Sequence, residues 1–205
     1  MARAPRRKPQ QSQASKREGQ IRIISGQWRG RRLPVPELEG LRPTTDRVRE
    51  TLFNWLMGEL QGARILDCFS GSGALAFESL SRYAGFATLM ERDAKVASGL
   101  QRNLKSLGAT QAEVCQGDTL AQLERPASAP YDLVFVDPPF RQSLLAPCLE
   151  RLEQNGYLTP SAWIYVESEK ELAMSAVPAS WRLHREKIAG QVAYRLYQRT
   201  FNENS

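Results

Sequence analysis

The sequence is poor in the residues that build disulfide frameworks and metal sites. It has three cysteines and one histidine among 205 residues. Cys68, Cys115 and Cys148 are scattered and lie in or beside apolar stretches, so we expect buried, reduced thiols and no bound metal. His184 has no ligand-like neighbours, and we expect it to be exposed or partly buried. These shortages argue against a disulfide-stapled scaffold and against a zinc module.

Long apolar runs are also missing. No run of about 18 apolar residues occurs, so we expect no transmembrane helix and no membrane partner. The basic N-terminus lacks the apolar stretch of a secretory signal. The expected location is therefore the cytoplasm. The hydrophobic content of 41% and the charged content of 24% are typical of a globular domain.

Positive charge is concentrated at the N-terminus. Residues 1–50 contain 13 lysines and arginines against 5 aspartates and glutamates, a balance of +8, whereas the rest of the chain has a balance of −2. Such asymmetry indicates an arm that meets a polyanion. Residues 1–18 are rich in Gln, Ser, Pro, Arg and Lys and are expected to be a disordered tail. A solvated tail without a partner is an equally weighted alternative for those residues alone.

From about residue 63, short apolar runs alternate with helix-like stretches. The runs are Arg64–Cys68, Ala87–Glu91, Ala112–Gln116, Asp132–Val136 and Ala162–Glu167. The helical candidates lie near 74–82, 93–106, 142–154 and 169–175. This alternation predicts an α/β, Rossmann-like fold with a mostly parallel sheet. After residue 180, Trp181–Ile188 and Val192–Arg199 flank a glycine turn and predict a hairpin that closes one edge.

A second unit precedes the sheet. Residues Ile21–Ser25 and Arg31–Val35 are expected to form a small hairpin. A helix is expected from about 46 to 60, capped by Thr44 or Thr45. Its apolar residues fall on one face: Val48, Leu52, Trp55, Leu56 and Leu60.

A glycine-rich turn follows the first strand of the predicted sheet, at Ser70-Gly71-Ser72-Gly73. Such a turn lets a ligand approach the backbone, with the free N–H groups of a helix behind it. Glu91 ends the second strand, where a carboxylate can accept both hydroxyls of an adenosine ribose. The spacing also fits a dinucleotide site, so a nicotinamide-dependent oxidoreductase remains an alternative.

Two further acids bear on that choice. Asp67 lies in the strand just before the turn, where it would repel a pyrophosphate but suit the cationic amino group of a methionine. Asp118 follows the third strand and could accept a hydrogen bond from an adenine amino group. A helix-capping role for Asp118 is the alternative.

The fourth strand ends in Asp137-Pro138-Pro139-Phe140. Consecutive prolines remove two N–H donors and leave the carbonyls beside them facing outward as acceptors. The Asp137 carboxylate and the Pro138 carbonyl can then accept both hydrogens of an aromatic amino group, and Phe140 offers a face for stacking. A strand-ending turn is the alternative, but the position opposite a glycine loop and Glu91 favours a methyltransferase.

This tetrad resembles the (D/N/S)-P-P-(Y/F/W) motif of amino-methyltransferases that act on DNA, RNA or protein glutamine. The N-terminal strings resemble the RsmD family, the bacterial 16S ribosomal RNA (guanine-N2)-methyltransferases. They run from Arg22 through Gly26-Gln27-Trp28-Arg29-Gly30-Arg31 and from Gly40 through Arg42-Pro43-Thr44-Thr45-Asp46-Arg47 to Leu56. The likeness covers about residues 20–200. Ser25-Gly26 and Ala74-Leu75-Ala76 depart from the family's usual residues, both by small-for-small changes.

The resemblance implies a seven-stranded class I fold with an antiparallel last strand. It also implies S-adenosylmethionine (SAM) as cofactor and one guanine of 16S rRNA, within an assembled or partly assembled small ribosomal subunit, as target. We therefore divide the chain into a tail (1–18), an RNA-binding extension (19–60) and a methyltransferase domain (61–205), acting as a monomer. The remaining alternatives are transfer to adenine N6 or to a glutamine amide, a nicotinamide-dependent oxidoreductase and a catalytically silent RNA-binding protein.

Three sets of site residues follow from these hypotheses. The catalytic set is Asp137, Pro138, Pro139 and Phe140. The cofactor set is Asp67, Phe69, Ser70, Gly71, Ser72, Gly73, Glu91, Arg92, Asp118 and Thr119. The RNA-binding set, expected to meet phosphates with Trp28 stacking or packing nearby, is Arg22, Trp28, Arg29, Arg31, Arg32, Arg42, Thr44, Thr45, Arg47 and Arg49.

Overall fold

A computed structural model describes residues 19–36, 45–140, 143–171 and 176–200. Its centre is a seven-stranded sheet in the order β5-β4-β3-β6-β7-β9-β8. Five strands run parallel: β3 (Arg64–Asp67), β4 (Phe86–Glu91), β5 (Ala112–Gln116), β6 (Tyr131–Val136) and β7 (Leu158–Glu169). Strands β8 (Trp181–Ala189) and β9 (Val192–Arg199) form the C-terminal hairpin, and β9 pairs antiparallel with β7. The fold class, the five runs and the hairpin are confirmed.

The strand order reverses direction between β3 and β6. From β3 the chain proceeds outward through β4 and β5, then returns to place β6 on the other side of β3. In open α/β sheets, ligands bind at the carboxyl ends of the strands where the order reverses. The residues that follow Asp67 on β3 and Val136 on β6 therefore flank the expected binding crevice.

Four helices follow the strands: α2 (Ala74–Ser81), α3 (Ala94–Leu107), α4 (Thr119–Leu123) and α5 (Leu145–Gln154). Helix α3 begins at Asp93, whose side chain accepts hydrogen bonds from the N–H groups of Lys95 and Val96. It ends at Gly108, which adopts the left-handed conformation. The prediction of a helix near 169–175 is wrong at its start, because β7 extends to Glu169; residues 172–175 lie outside the described part.

The N-terminal unit is a two-stranded hairpin of β1 (Gly19–Arg22) and β2 (Arg32–Val35), followed by α1 (Asp46–Trp55). Thr45 caps α1 by accepting from the N–H of Val48, whereas Thr44 lies outside the described residues. The prediction placed the end of this helix at about residue 60. The helix ends five residues earlier, at Trp55, because Leu56 leaves the helical conformation. Leu56 and Leu60 are nevertheless buried, so the apolar face continues through a turn.

The two faces of the sheet carry separate apolar cores. One core joins the hairpin, α1, α2 and α3 to the sheet through residues such as Phe53, Phe77 and Phe135. The other packs α4 and α5 against the opposite face around Leu149 and Ile164. The N-terminal unit is thus part of the first core rather than a separate body. None of the helices in the described part of the chain is long and apolar enough to cross a membrane.

Candidate active site

The glycine loop connects the end of β3 to α2. Gly71 and Gly73 have φ angles of 50° and 76°. A Cβ at position 73 would lie 2.4 Å from Phe77 and 2.6 Å from Leu100, so only glycine fits there. The N-cap residue of α2, Gly73, has no side chain that could accept from the helix N–H groups. The loop therefore presents backbone and free helix N–H groups at the switch point of the sheet.

Glu91 fastens this loop to the end of β4. One carboxylate oxygen accepts a hydrogen bond from the N–H of Gly71 at 2.9 Å, and the other accepts from the N–H of Asp93 at 2.8 Å. Ser70 adds a backbone hydrogen bond from its N–H to the carbonyl of Met90. Each oxygen of Glu91 keeps a second lone pair that a ligand hydroxyl can use.

Asp67 is buried beneath the loop, with 3% of its surface exposed. Burial, with smaller contributions from the neighbouring carboxylates of Asp137 and Glu91, raises its pKa from 3.8 to about 8, although hydrogen bonds from the backbone N–H groups of Phe69 and Ala76 act in the opposite direction. Both charges that act on Asp67 are negative. Buried carboxylates of this kind are costly unless a cation accompanies them, so the site favours a positively charged ligand.

Asp137 begins the Asp-Pro-Pro-Phe turn on the other side of the switch point. Burial raises its pKa from 3.8 to about 7. Pro138 is buried, whereas Pro139 and Phe140 are exposed, and 43% of the Phe140 surface is open to solvent. The cis peptide that such a proline pair can adopt is absent from the described residues. The turn thus combines a half-buried carboxylate with an exposed aromatic ring at the switch point of the sheet.

Three residues of this site escaped the sequence analysis. Glu167 on β7 and Tyr194 on β9 lie in register with each other, and the Tyr165 hydroxyl donates to Glu167 at 3.3 Å. Burial and the Asp137 carboxylate raise the pKa of Glu167 from 4.5 to about 8. The alternation of Trp163, Tyr165 and Glu167 within one predicted strand is the signal that could have indicated Tyr165 and Glu167, whereas no local pattern indicates Tyr194.

The other predicted cofactor residues lie around the same edge of the sheet. The Asp118 side chain accepts from the N–H of Ala121 and caps α4, which is the alternative given for it above. The Thr119 hydroxyl donates to the carbonyl of Cys68 at 2.7 Å. Arg92 is exposed, and Phe69 and Ser72 are half-buried.

The described arginines of the N-terminal unit are an exposed group and the buried Arg49. Arg22, Arg29, Arg31, Arg32 and Arg47 are exposed, and so is Thr45; Arg42 lies outside the described residues. Trp28 is half-buried and packs against the first core.

Arg49 corrects the sequence analysis, because it is only 2% exposed and cannot meet a phosphate. Its guanidinium donates to Asp46 at 2.6 Å and to the carbonyl of Arg22 at 2.9 Å. It also lies 3.7 Å from a carboxylate oxygen of Glu78. The Arg49 guanidinium therefore stabilises the packing of the hairpin against α1 and α2 and is not available to a ligand at the surface.

A glycine loop after the first strand of the sheet, an acid ending the second and an Asp-Pro-Pro-Phe turn after the fourth define a class I SAM-dependent methyltransferase. A methyltransferase structure from Escherichia coli superposes with a TM-score of 0.83 at 58% identity, covering 90% of this chain and all of that one. The predicted fold is confirmed. The likeness also decides against a nicotinamide-dependent oxidoreductase.

The chain belongs to the family described as Conserved hypothetical protein 95, whose model matches residues 21–198, and the predicted RsmD membership is confirmed. It is similar to the protein named ribosomal RNA small subunit methyltransferase D of Escherichia coli, with 59% identity over 181 residues, 88% of this chain and 91% of the relative. A protein of the same name from Haemophilus influenzae is 49% identical over 184 residues, 88% of this chain and 95% of that one.

Proposed function

We propose that this enzyme transfers a methyl group from SAM to the exocyclic N2 of a guanine in 16S rRNA. The observation that carries the proposal is the position of Asp137-Pro138-Pro139-Phe140 at the sheet switch point, opposite the glycine loop and Glu91. The names of the relatives support small-subunit rRNA as the acceptor.

The residues around the loop fit SAM. SAM carries two positive charges, on its sulfonium and its ammonium group, against one carboxylate. Asp67 is buried and Asp137 is half-buried. With their raised pKa values they form the negative site that such a ligand would neutralise. Glu91 would accept the ribose hydroxyls, and Asp118 or its neighbour Thr119 would border the adenine. When bound, SAM supplies a methyl group activated by the positive sulfur.

The tetrad would hold the acceptor nitrogen. The Asp137 carboxylate and the Pro138 carbonyl accept the two hydrogens of the amino group and leave its lone pair free to face the methyl donor. The ring of Phe140, exposed at the mouth, stacks on the base. As nitrogen gains the methyl group it must release one proton, which the carboxylate of Asp137 can accept.

The N-terminal unit would dock the RNA. Phe135, two residues before Asp137, contacts Phe53 of α1 with ring centroids 6.4 Å apart, so α1 packs on β6 near the strand end that leads into Asp137. Arg22, Arg29 and Arg31 are exposed on the N-terminal unit, where the Arg31 guanidinium donates to the carbonyl of Ser106 near the end of α3. They, together with Arg32 and Arg47, would meet phosphates without reading sequence. The target base must leave its stack to reach Asp137.

We further propose that the enzyme acts as a monomer on an assembled or partly assembled small subunit. The test is methylation in vitro with isotope-labelled SAM, offering either naked 16S rRNA or small subunits, followed by nucleoside analysis. We expect label in 2-methylguanosine and better transfer to the particle. Asp137→Ala should lower the transfer rate by about 100-fold or more while leaving SAM affinity within a few-fold. Label in 6-methyladenosine or in protein would refute guanine as the target.

A further inference from the structure

Strand β7 places a second acid beside the acceptor side of the tetrad. Strands β6 and β7 pair in parallel, with Phe135 opposite Tyr165 and Val136 opposite Val166. The Phe135 and Tyr165 rings contact each other at 6.2 Å between centroids, so both point to the same face of the sheet. Glu167 follows two residues later on β7, so side-chain alternation directs it to that face. Asp137 takes the matching position directly after the last residue of β6, and neighbouring strands are about 4.8 Å apart.

The carboxyl group of Glu167 is held in place by its neighbours. The Tyr165 hydroxyl donates to it at 3.3 Å, and Tyr194 lies opposite it on β9. The charge that acts on it is the carboxylate of Asp137, and burial together with that charge raises its pKa to about 8. Burial, the Glu167 carboxylate and the Asp137 carboxylate raise the pKa of Tyr194 as well. The pairing of β6 with β7 and of β7 with β9 therefore groups Asp137, Glu167 and Tyr194 at one end of the sheet.

A guanine presents two adjacent donors on its Watson–Crick edge, the 2-amino group and N1–H. If Asp137 and the Pro138 carbonyl accept from the amino group, the N1–H beside it needs an acceptor as well, because a buried donor without one is costly. The positive sulfur of a bound methyl donor favours the ionised form of nearby carboxyl groups. An ionised carboxylate there would repel adenine, which has a lone pair at N1 in place of the N–H.

We propose that Glu167 accepts the N1–H of the target guanine and thereby selects guanine over bases that lack this hydrogen. This assignment rests on the proposed function of the tetrad. Glu167 acts here as a specificity residue, and the Tyr165 hydroxyl positions its carboxylate.

The test uses an RNA in which the target guanine is replaced by 2-aminopurine. This base keeps the 2-amino group but has a lone pair at N1, so it removes the interaction without removing the methyl acceptor. We expect the wild-type enzyme to prefer guanine by about 100-fold or more in kcat/KM, because a site built for a hydrogen bond rejects an analogue that lacks it. In Glu167→Gln, the amide can donate to N1, so the preference should shrink to about ten-fold or less.

Controls separate this role from a structural one. Glu150→Gln, on the exposed surface of α5, removes a carboxylate elsewhere and should keep the wild-type preference. Tyr165→Phe keeps the ring packed against Phe135, should shrink the preference in the same direction as Glu167→Gln, and stays informative if that variant fails to fold. SAM affinity should stay within about two-fold of wild type in all three variants.

An unchanged preference in a folded Glu167→Gln, or in Tyr165→Phe if Glu167→Gln does not fold, would overturn the assignment. Absence of any guanine methylation by the wild type would instead refute the proposed function, so the two failures are distinguishable.

Discussion

Glu78 is the residue that fastens the N-terminal hairpin to α2. It is fully buried, and its carboxylate accepts from the backbone N–H groups of Ile24 at 2.8 Å and Ser25 at 3.0 Å. It also accepts from the Arg82 guanidinium at 2.8 Å and faces Arg49 at 3.7 Å. Glu78→Gln keeps the shape of the side chain but removes its charge and turns one acceptor oxygen into a donor.

The loss in the free energy of unfolding can be worked out from the groups that lose a partner in Glu78→Gln. Breaking a buried ion pair costs about 3–5 kcal/mol, and a buried N–H left without an acceptor costs about 1–3 kcal/mol. Arg49 keeps its 2.6 Å contact with Asp46, and Arg82 is partly solvated, which moderates the first cost. Because the two costs share atoms they do not add in full, and we expect a loss of about 4 kcal/mol. This is a large part of the 5–15 kcal/mol that stabilises a typical domain.

Hydrogen exchange and urea unfolding measure this loss. In Glu78→Gln, amides within residues 19–35 should exchange much faster than in wild type, because the hairpin loses its anchor. Amides of the central strands β3 and β6 should be affected less. Glu150→Gln, a matched loss of charge on the surface, should behave as wild type. Unchanged exchange in the hairpin of Glu78→Gln would refute the view that this carboxylate holds the extension to the sheet domain.

Three further perturbations test other parts of the account. Gly26→Ala should lower the free energy of unfolding by more than about 3 kcal/mol, because φ is +82° and the new Cβ would lie 1.8 Å from a carbonyl oxygen at the end of α2. Gly30→Ala, with φ of +83° but open space around it, should cost only about 1–2 kcal/mol by denaturant unfolding. Because the folded pKa of Asp67 is about 8 against 3.8 for the free side chain, stability of the ligand-free protein should fall as pH rises from about 4 to about 8. SAM offsets that negative charge, so it should raise Tm more at pH 8 than at pH 6, and an equal shift at both values would contradict the acidic site. Charge reversal of Arg29 and Arg31 together should weaken RNA binding and reduce the salt slope of log Kd by about 1–2, whereas an unchanged slope would exclude phosphate contacts there.

Much of the sheet domain could be predicted from the sequence because its signals are local. Buried parallel strands appear as short apolar runs, and glycine and proline mark the turns between them. The position of the Asp-Pro-Pro-Phe turn could be predicted for the same reason, since the tetrad is contiguous and follows a clear strand; the catalytic role of Asp137 stays a prediction. Helix α4 was missed because five residues are too few to show helical periodicity.

The errors concern contacts between distant parts of the chain. Arg49 looks like a surface cation within a basic segment, and its burial depends on Glu78 from another helix. Glu167 looks like one acid among many, and only the pairing of β6 with β7 brings it beside Asp137. No local sequence pattern indicates the burial of Arg49 or the position of Glu167. Tertiary packing determines the first, and strand register determines the second.

Methylation of a guanine N2 in small-subunit rRNA through Asp137 can be tested in cells. The most direct measurement maps the modified nucleosides of 16S rRNA from cells that lack the protein, and from the same cells carrying either the wild type or Asp137→Ala. We predict that one 2-methylguanosine disappears, returns with the wild type and stays absent with Asp137→Ala at equal protein levels. An unchanged set of 2-methylguanosines in cells that lack the protein, or full restoration by Asp137→Ala, would contradict the account.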